Sequence, residues 1–125
     1  MKQIILFIIA LCAFFPARSE EKNSIQFSET THNFGYVKEA NGPVSYNFEF
    51  KNTGKRPVII YNVRSSCGCT ATDYPRNPIK PNEKGKIKLV YNPKSQKGPF
   101  DKVVTVNASS GSVYLRIKGN VIPKK

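Results

Sequence analysis

The chain predicts an all-β fold: an immunoglobulin-like antiparallel β-sandwich of about seven strands, preceded by a cleaved signal peptide. Three observations predict it. Short runs from Ile25 to Ile117 alternate apolar and polar residues with a period of two. Turn residues interrupt those runs at intervals. Beyond the leader, no stretch carries the helical spacing of an amphipathic helix.

The leader comes first. Met1-Lys2-Gln3 carries one positive charge, and Ile4 to Phe15 is almost wholly apolar. Ala17-Arg18-Ser19 puts small residues where a signal peptidase reads them. The expected cut lies between Ser19 and Glu20, making residues 1–19 a signal peptide and residues 20–125 one sandwich domain. The apolar run is shorter than the roughly 18–20 residues a bilayer span needs, so no transmembrane anchor is expected after cleavage. Cys12 raises lipidation as an alternative. Leu11 is bulky for the position before a lipidated cysteine, and Ala13-Phe14-Phe15 prolong the apolar run instead of opening a polar tether.

The strands follow. Ile25 and Phe27 alternate with polar neighbours, as do Val44, Tyr46, Phe48 and Phe50. Val58 to Val63 is β-branched and nearly continuous. Ile87, Leu89 and Tyr91 alternate with Lys86, Lys88 and Val90; Phe100 to Val106 is apolar-rich; Val113, Leu115 and Ile117 alternate with Tyr114, Arg116 and Lys118. Asn41-Gly42-Pro43, Asn92-Pro93 and Ser109-Ser110-Gly111 supply turns. Asn52-Thr53-Gly54, set between two strong strands, reads as a hairpin. Pro75, Pro78 and Pro81 make residues 75–85 the longest loop. With no tryptophan and no cysteine pair able to bridge two sheets, the core must rest on Phe, Tyr, Val and Ile.

Cys67-Gly68-Cys69 is the chemical signal. After cleavage these are the mature chain's cysteines, in a compartment that oxidises thiols. A bridge closing three residues limits the unfolded chain by only about 1.6 kcal/mol. It is a weak staple and a plausible redox pair, with Gly68 expected to permit the bend. Free thiols, an intermolecular bridge, or thiolates holding Cu(I) or another soft metal are the alternatives. Intramolecular zinc lacks ligands, since His32 is the one histidine. His32 is read as a hydrogen-bonding residue at a strand turn. Arg64 would lower a thiol pKa if it lay close in space.

The motifs resemble those of a secreted bacterial family, domain of unknown function 1573. The resemblance rests on His32-Asn33-Phe34-Gly35-Tyr36-Val37, Phe48-Glu49-Phe50-Lys51-Asn52-Thr53-Gly54, Ser66-Cys67-Gly68-Cys69-Thr70, Ile79 to Gly85, and Leu115 to Val121. It covers nearly the whole mature chain. Asn82 stands where that family prefers glycine, and asparagine also tolerates a left-handed turn. The resemblance implies an Ig-like sandwich related to Hydin-type domains, exported across the inner membrane, and implies no activity.

Composition narrows the function classes. Asp73, Asp101 and a lone histidine form no catalytic triad, and no phosphate-cradling or zinc-protease motif is present. No enzyme is expected, thiol–disulfide exchange aside. Basic residues number 20 against 8 acidic, and only Lys2 and Arg18 fall in the leader. Such a charge attracts anionic partners such as lipid headgroups or acidic glycans. Lys84, Lys86 and Lys88 read as the solvated face of one strand. Export and the lack of a recognition motif argue against nucleic acid. Asn107-Ala108-Ser109 matches a glycosylation sequon, a pattern common by chance. The expected role is a non-enzymatic binding module of the periplasm or cell surface, contacting an unknown protein or anionic surface ligand. Its motif loop runs from Ser65 to Thr70, with Ser66, Gly68 and Thr70 framing the cysteines. Redox or soft-metal chemistry at Cys67 and Cys69 is the alternative.

Overall fold

The computed structural model describes residues 24–125. The expected leader, its cut between Ser19 and Glu20, and Cys12 lie outside the described residues. These described residues build eight strands: β1 (Ile25–Phe27), β2 (Thr31–Lys38), β3 (Val44–Asn52), β4 (Ile60–Ser65), β5 (Thr70–Asp73), β6 (Lys84–Tyr91), β7 (Gly98–Ala108) and β8 (Gly111–Ile122). A single 3-10 turn, Glu39–Asn41, links β2 to β3. Two four-stranded sheets result, ordered β1-β3-β6-β5 and β2-β8-β7-β4.

The period-two pattern sorts side chains as expected. Phe48 and Phe50 on β3, Ile87, Leu89 and Tyr91 on β6, Val104 and Val106 on β7, and Leu115 and Ile117 on β8 are buried in one core. Each large side chain there contributes about 1.5–3 kcal/mol by leaving water. The opposite face of β6 holds the lysine row, with Lys84, Lys86 and Lys88 registered against Lys51, Glu49 and Asn47 of β3. These lysines are solvated, as the alternation implied.

Three features depart from the sequence expectation. First, β2 and β5 are strands that the alternation did not reveal. β2 is broken by a bulge between Asn33 and Tyr36, where Gly35 has φ 68° and its N–H donates to Asn33 Oδ1 at 2.8 Å. That extra residue shifts the period of two. Second, β2 runs parallel to β8, whereas every other pair is antiparallel. Third, Asn52-Thr53-Gly54 is not a hairpin. β3 and β4 lie in different sheets, so the chain crosses between layers there. Asn52 is fully buried and donates through Nδ2 to Arg56 O at 2.8 Å and Ile79 O at 2.9 Å. Its Oδ1 accepts from Gly54 N at 2.9 Å. A residue read as a solvent-facing turn former is a buried clasp.

The proline-rich loop between β5 and β6 lies at the sheet margin as expected, and it sends Ile79 inward to bridge Val58. Asn82 takes φ 67°, the left-handed conformation its position requires. No helix among the described residues is long and apolar enough to cross a membrane.

Candidate functional site

β4 ends at Ser65, opposite Val104 of β7; β5 begins at Thr70, opposite Tyr91 of β6. Because these strands belong to different sheets, the Cys67–Cys69 loop is a rung across one end of the sandwich. Local hydrogen bonds shape it. Cys67 N–H donates to Ser65 Oγ at 3.2 Å, and Thr70 N–H donates to Cys67 O at 3.3 Å, closing a turn. Cys67 and Cys69 are joined by a disulfide, with Cα atoms 5.3 Å apart. Cys69 N–H points at Cys67 Sγ at 3.2 Å. Cys69 packs against the core, while Ser66 and Gly68 are exposed. Thr70 Oγ1 is buried without a hydrogen-bond partner among the described residues.

Of the alternatives the sequence left open, the structure takes the intramolecular bridge. In that state neither sulfur offers a thiolate to a soft metal. Gly68 is not needed for steric reasons: it lies outside the left-handed region, and a Cβ there would have no neighbour within 4 Å. The bend is carried instead by the Cys67–Thr70 turn. His32 stands apart from the cysteines. β2 and β4 are opposite edges of their sheet, about 14 Å apart at the usual strand spacing. His32 stacks on Tyr46 with ring centroids 3.6 Å apart and meets the edge of Phe34 at 4.6 Å. It ties the two sheets by aromatic packing.

The loop is wired to its surroundings. Asn92 N–H, just past β6, donates to Cys69 O at 2.8 Å. Asn92 Oδ1 accepts from Lys94 N at 3.0 Å, folding the β6–β7 loop. Ser95 N–H then donates to Glu39 Oε2 at 2.8 Å, and Lys124 N–H to Glu39 Oε1 at 2.9 Å. One carboxylate thus gathers the β2–β3 turn, the β6–β7 loop and the tail. Those two backbone donors, Lys124 first, hold Glu39 below its ordinary value of 4.5. Beneath them the buried Tyr91 ring stacks on Phe100 at 4.0 Å. Lys38, Lys94, Lys97, Lys124 and Lys125 are all exposed on these same segments. Among them Glu39 is the carboxylate, and it is already engaged.

This ordered set of strands, bulge and cysteine loop coincides with a family model described as protein of unknown function (DUF1573), matched over residues 25–121. The chain belongs to this family. No curated protein sequence matches this chain. Among solved structures, a protein of unknown function from Porphyromonas gingivalis W83 is 15% identical with a TM-score of 0.69, covering 85% of this chain and 50% of that one. The secreted serine protease VesC from Vibrio cholerae is 12% identical with a TM-score of 0.60, covering 82% of this chain and 24% of the protease. SSP-19, an MSP-domain protein like family member in Caenorhabditis elegans, is 12% identical with a TM-score of 0.53; the match covers 69% of this chain and 92% of that one. At such identities the likeness is one of fold. The DUF1573 domain spans about half of the first structure and about a quarter of the second.

Sequence reasoning found the cysteine pair and missed Glu39. Its partners are backbone N–H groups 56 and 85 residues away, and no side-chain pattern announces them. Asn92 carried a weak signal in Asn92-Pro93, which marked the turn but not the anchor to Cys69.

Proposed function

We propose that this DUF1573 domain is an exported, non-enzymatic binding module of the periplasm or cell surface, whose disulfide-bridged end docks on an anionic surface. The reading rests on one observation: the Cys67–Cys69 rung, the β6–β7 loop and the tail are hydrogen-bonded into a unit bearing Lys38, Lys94, Lys97, Lys124 and Lys125. Lysines near an anionic lipid surface contribute about 1 kcal/mol each. The test is co-sedimentation with phosphatidylcholine vesicles with and without phosphatidylglycerol. Binding is expected only to the anionic vesicles, and Lys94→Gln/Lys97→Gln should weaken it about thirtyfold. Equal binding by that variant would refute the reading. Cys67→Ser/Cys69→Ser should still fold and bind, with its thermal midpoint lower by about 6–13 °C.

A second reading is favoured by the bridge itself, which closes a loop too short to add much stability. A partner dithiol would reduce it, becoming a disulfide while Cys67 and Cys69 gain two electrons and two protons. Under this reading the serine double variant keeps its fold and loses its function. A double variant that fails to fold would sink both readings and leave a structural staple.

A further inference from the structure

We infer that the outer face of the β2-β8-β7-β4 sheet is a binding surface for a linear acidic polysaccharide, separate from the basic end described above. The register arranges this face in rows. Tyr114 of β8 lies beside Thr105 of β7, which faces Arg64 of β4. Two residues on, Arg116 lies beside Thr31; then Lys118 beside Asn33; then Asn120 beside Tyr36. Tyr114 and Tyr36 are 64% and 77% exposed, and Tyr61 of β4 in the same sheet is 60% exposed. Along β8 their rows are about 20 Å apart, with Arg116 and Lys118 between them. The carboxylate on this face is Asp101, paired to Arg116 Nε at 3.3 Å. Positive charge therefore prevails.

Next to Tyr114 lies a row of fixed polar groups. Asn107 Nδ2 donates to Asn62 Oδ1 at 2.7 Å, and Ser112 Oγ donates to Asn107 Oδ1 at 2.8 Å. These bonds orient two amides and a hydroxyl before any ligand arrives, which lowers the ordering cost of binding. A sugar chain matches all three features. The C–H faces of its rings stack on tyrosine, its hydroxyls meet the oriented amides, and its carboxylates meet arginine and lysine. A neutral glycan leaves the cations unused. An extended acidic peptide leaves the tyrosines without ring partners. Single-stranded nucleic acid would use rings and cations but not the amide row.

The probe is polygalacturonate, titrated into the purified protein at about 0.15 M salt, where surface charge alone is well screened. Binding is expected, with neutral dextran at least about tenfold weaker. Tyr36→Ala/Tyr114→Ala should weaken it about tenfold without moving the thermal midpoint, since both rings are exposed. Arg116→Gln/Lys118→Gln gives an independent reading from the same face and should weaken it severalfold. Lys94→Gln/Lys97→Gln and Cys67→Ser/Cys69→Ser should leave it unchanged, so failure of the basic end as a docking site does not touch this result. The inference is overturned if neither face variant loses affinity. It is equally overturned if oligothymidylate or polyglutamate binds as tightly as polygalacturonate, which would mark a face that attracts any polyanion.

Discussion

Replacing Asn52 tests the crossover that joins the two sheets. Its side chain is fully buried and makes three hydrogen bonds to Arg56 O, Ile79 O and Gly54 N. In Asn52→Ala the Arg56 carbonyl and the Gly54 N–H lose this partner, at about 1–3 kcal/mol for each group that stays dry, while Ile79 O keeps its bond from Val58 N–H at 2.9 Å. Water will satisfy part of this, so a total of about 2–4 kcal/mol is expected, against the roughly 5–15 kcal/mol that holds a domain folded. The thermal midpoint should fall by the order of 20 °C. Asn52→Asp is the sharper probe. It keeps the acceptor for Gly54 N but turns an oxygen, in place of the amide donor, toward Arg56 O and Ile79 O. At pH 7 it buries an unpaired charge and should be less stable than the alanine variant. Burial raises the folded-state pKa of such a carboxyl, so its penalty is full above that value and shrinks as pH falls through it. The gap between the two variants should therefore narrow toward pH 5. Calorimetry of both variants across pH measures this. An alanine variant within about 4 °C of the parent, or an aspartate variant equal to it at pH 7, would refute the clasp.

Gly119→Ala should cost about 1–3 kcal/mol in denaturant unfolding, because the added Cβ would lie 2.6 Å from the Phe100 ring and 3.0 Å from Gly35 O. Phe100 is held by its stack on Tyr91, so pairing the change with Phe100→Leu should restore part of the loss. Glu39, whose pKa is lowered by the Lys124 and Ser95 amides, should hold loop and tail together above its ordinary value near 4.5 and release them as pH falls through the lowered one. Exchange protection at the Ser95 and Lys124 amides should vanish there, and in Glu39→Gln any protection that remains should not follow pH. Protection in the parent that stays constant from pH 6 to pH 2 would contradict the clasp.

The sandwich was legible wherever burial imposed a period of two, as in β3, β6 and β8. It was illegible where something other than alternation holds a strand. In β2 the bulge at Gly35 shifts the phase, and in β5 only four residues pair. The misreading of Asn52-Thr53-Gly54 has a similar cause. Turn propensity reports that a chain bends, not which sheet it bends toward. The cysteine loop was visible because its chemistry is carried by residue types one position apart. Its attachment to Asn92 and Glu39 was not, since backbone groups leave no mark in a sequence.

The parallel pairing of β2 with β8 also sets an order of events. Residues 31–38 find their neighbour only at residues 116–122, and β7 needs the same strand on its other side. A chain delivered N-terminus first cannot complete this sheet until residue 122 has emerged. Until then β2 and the apolar side of β7 must stay open, and contacts this distant in sequence form slowly. The sheet therefore closes late, and any truncation inside β8 is a failure of the whole domain and not of its last strand.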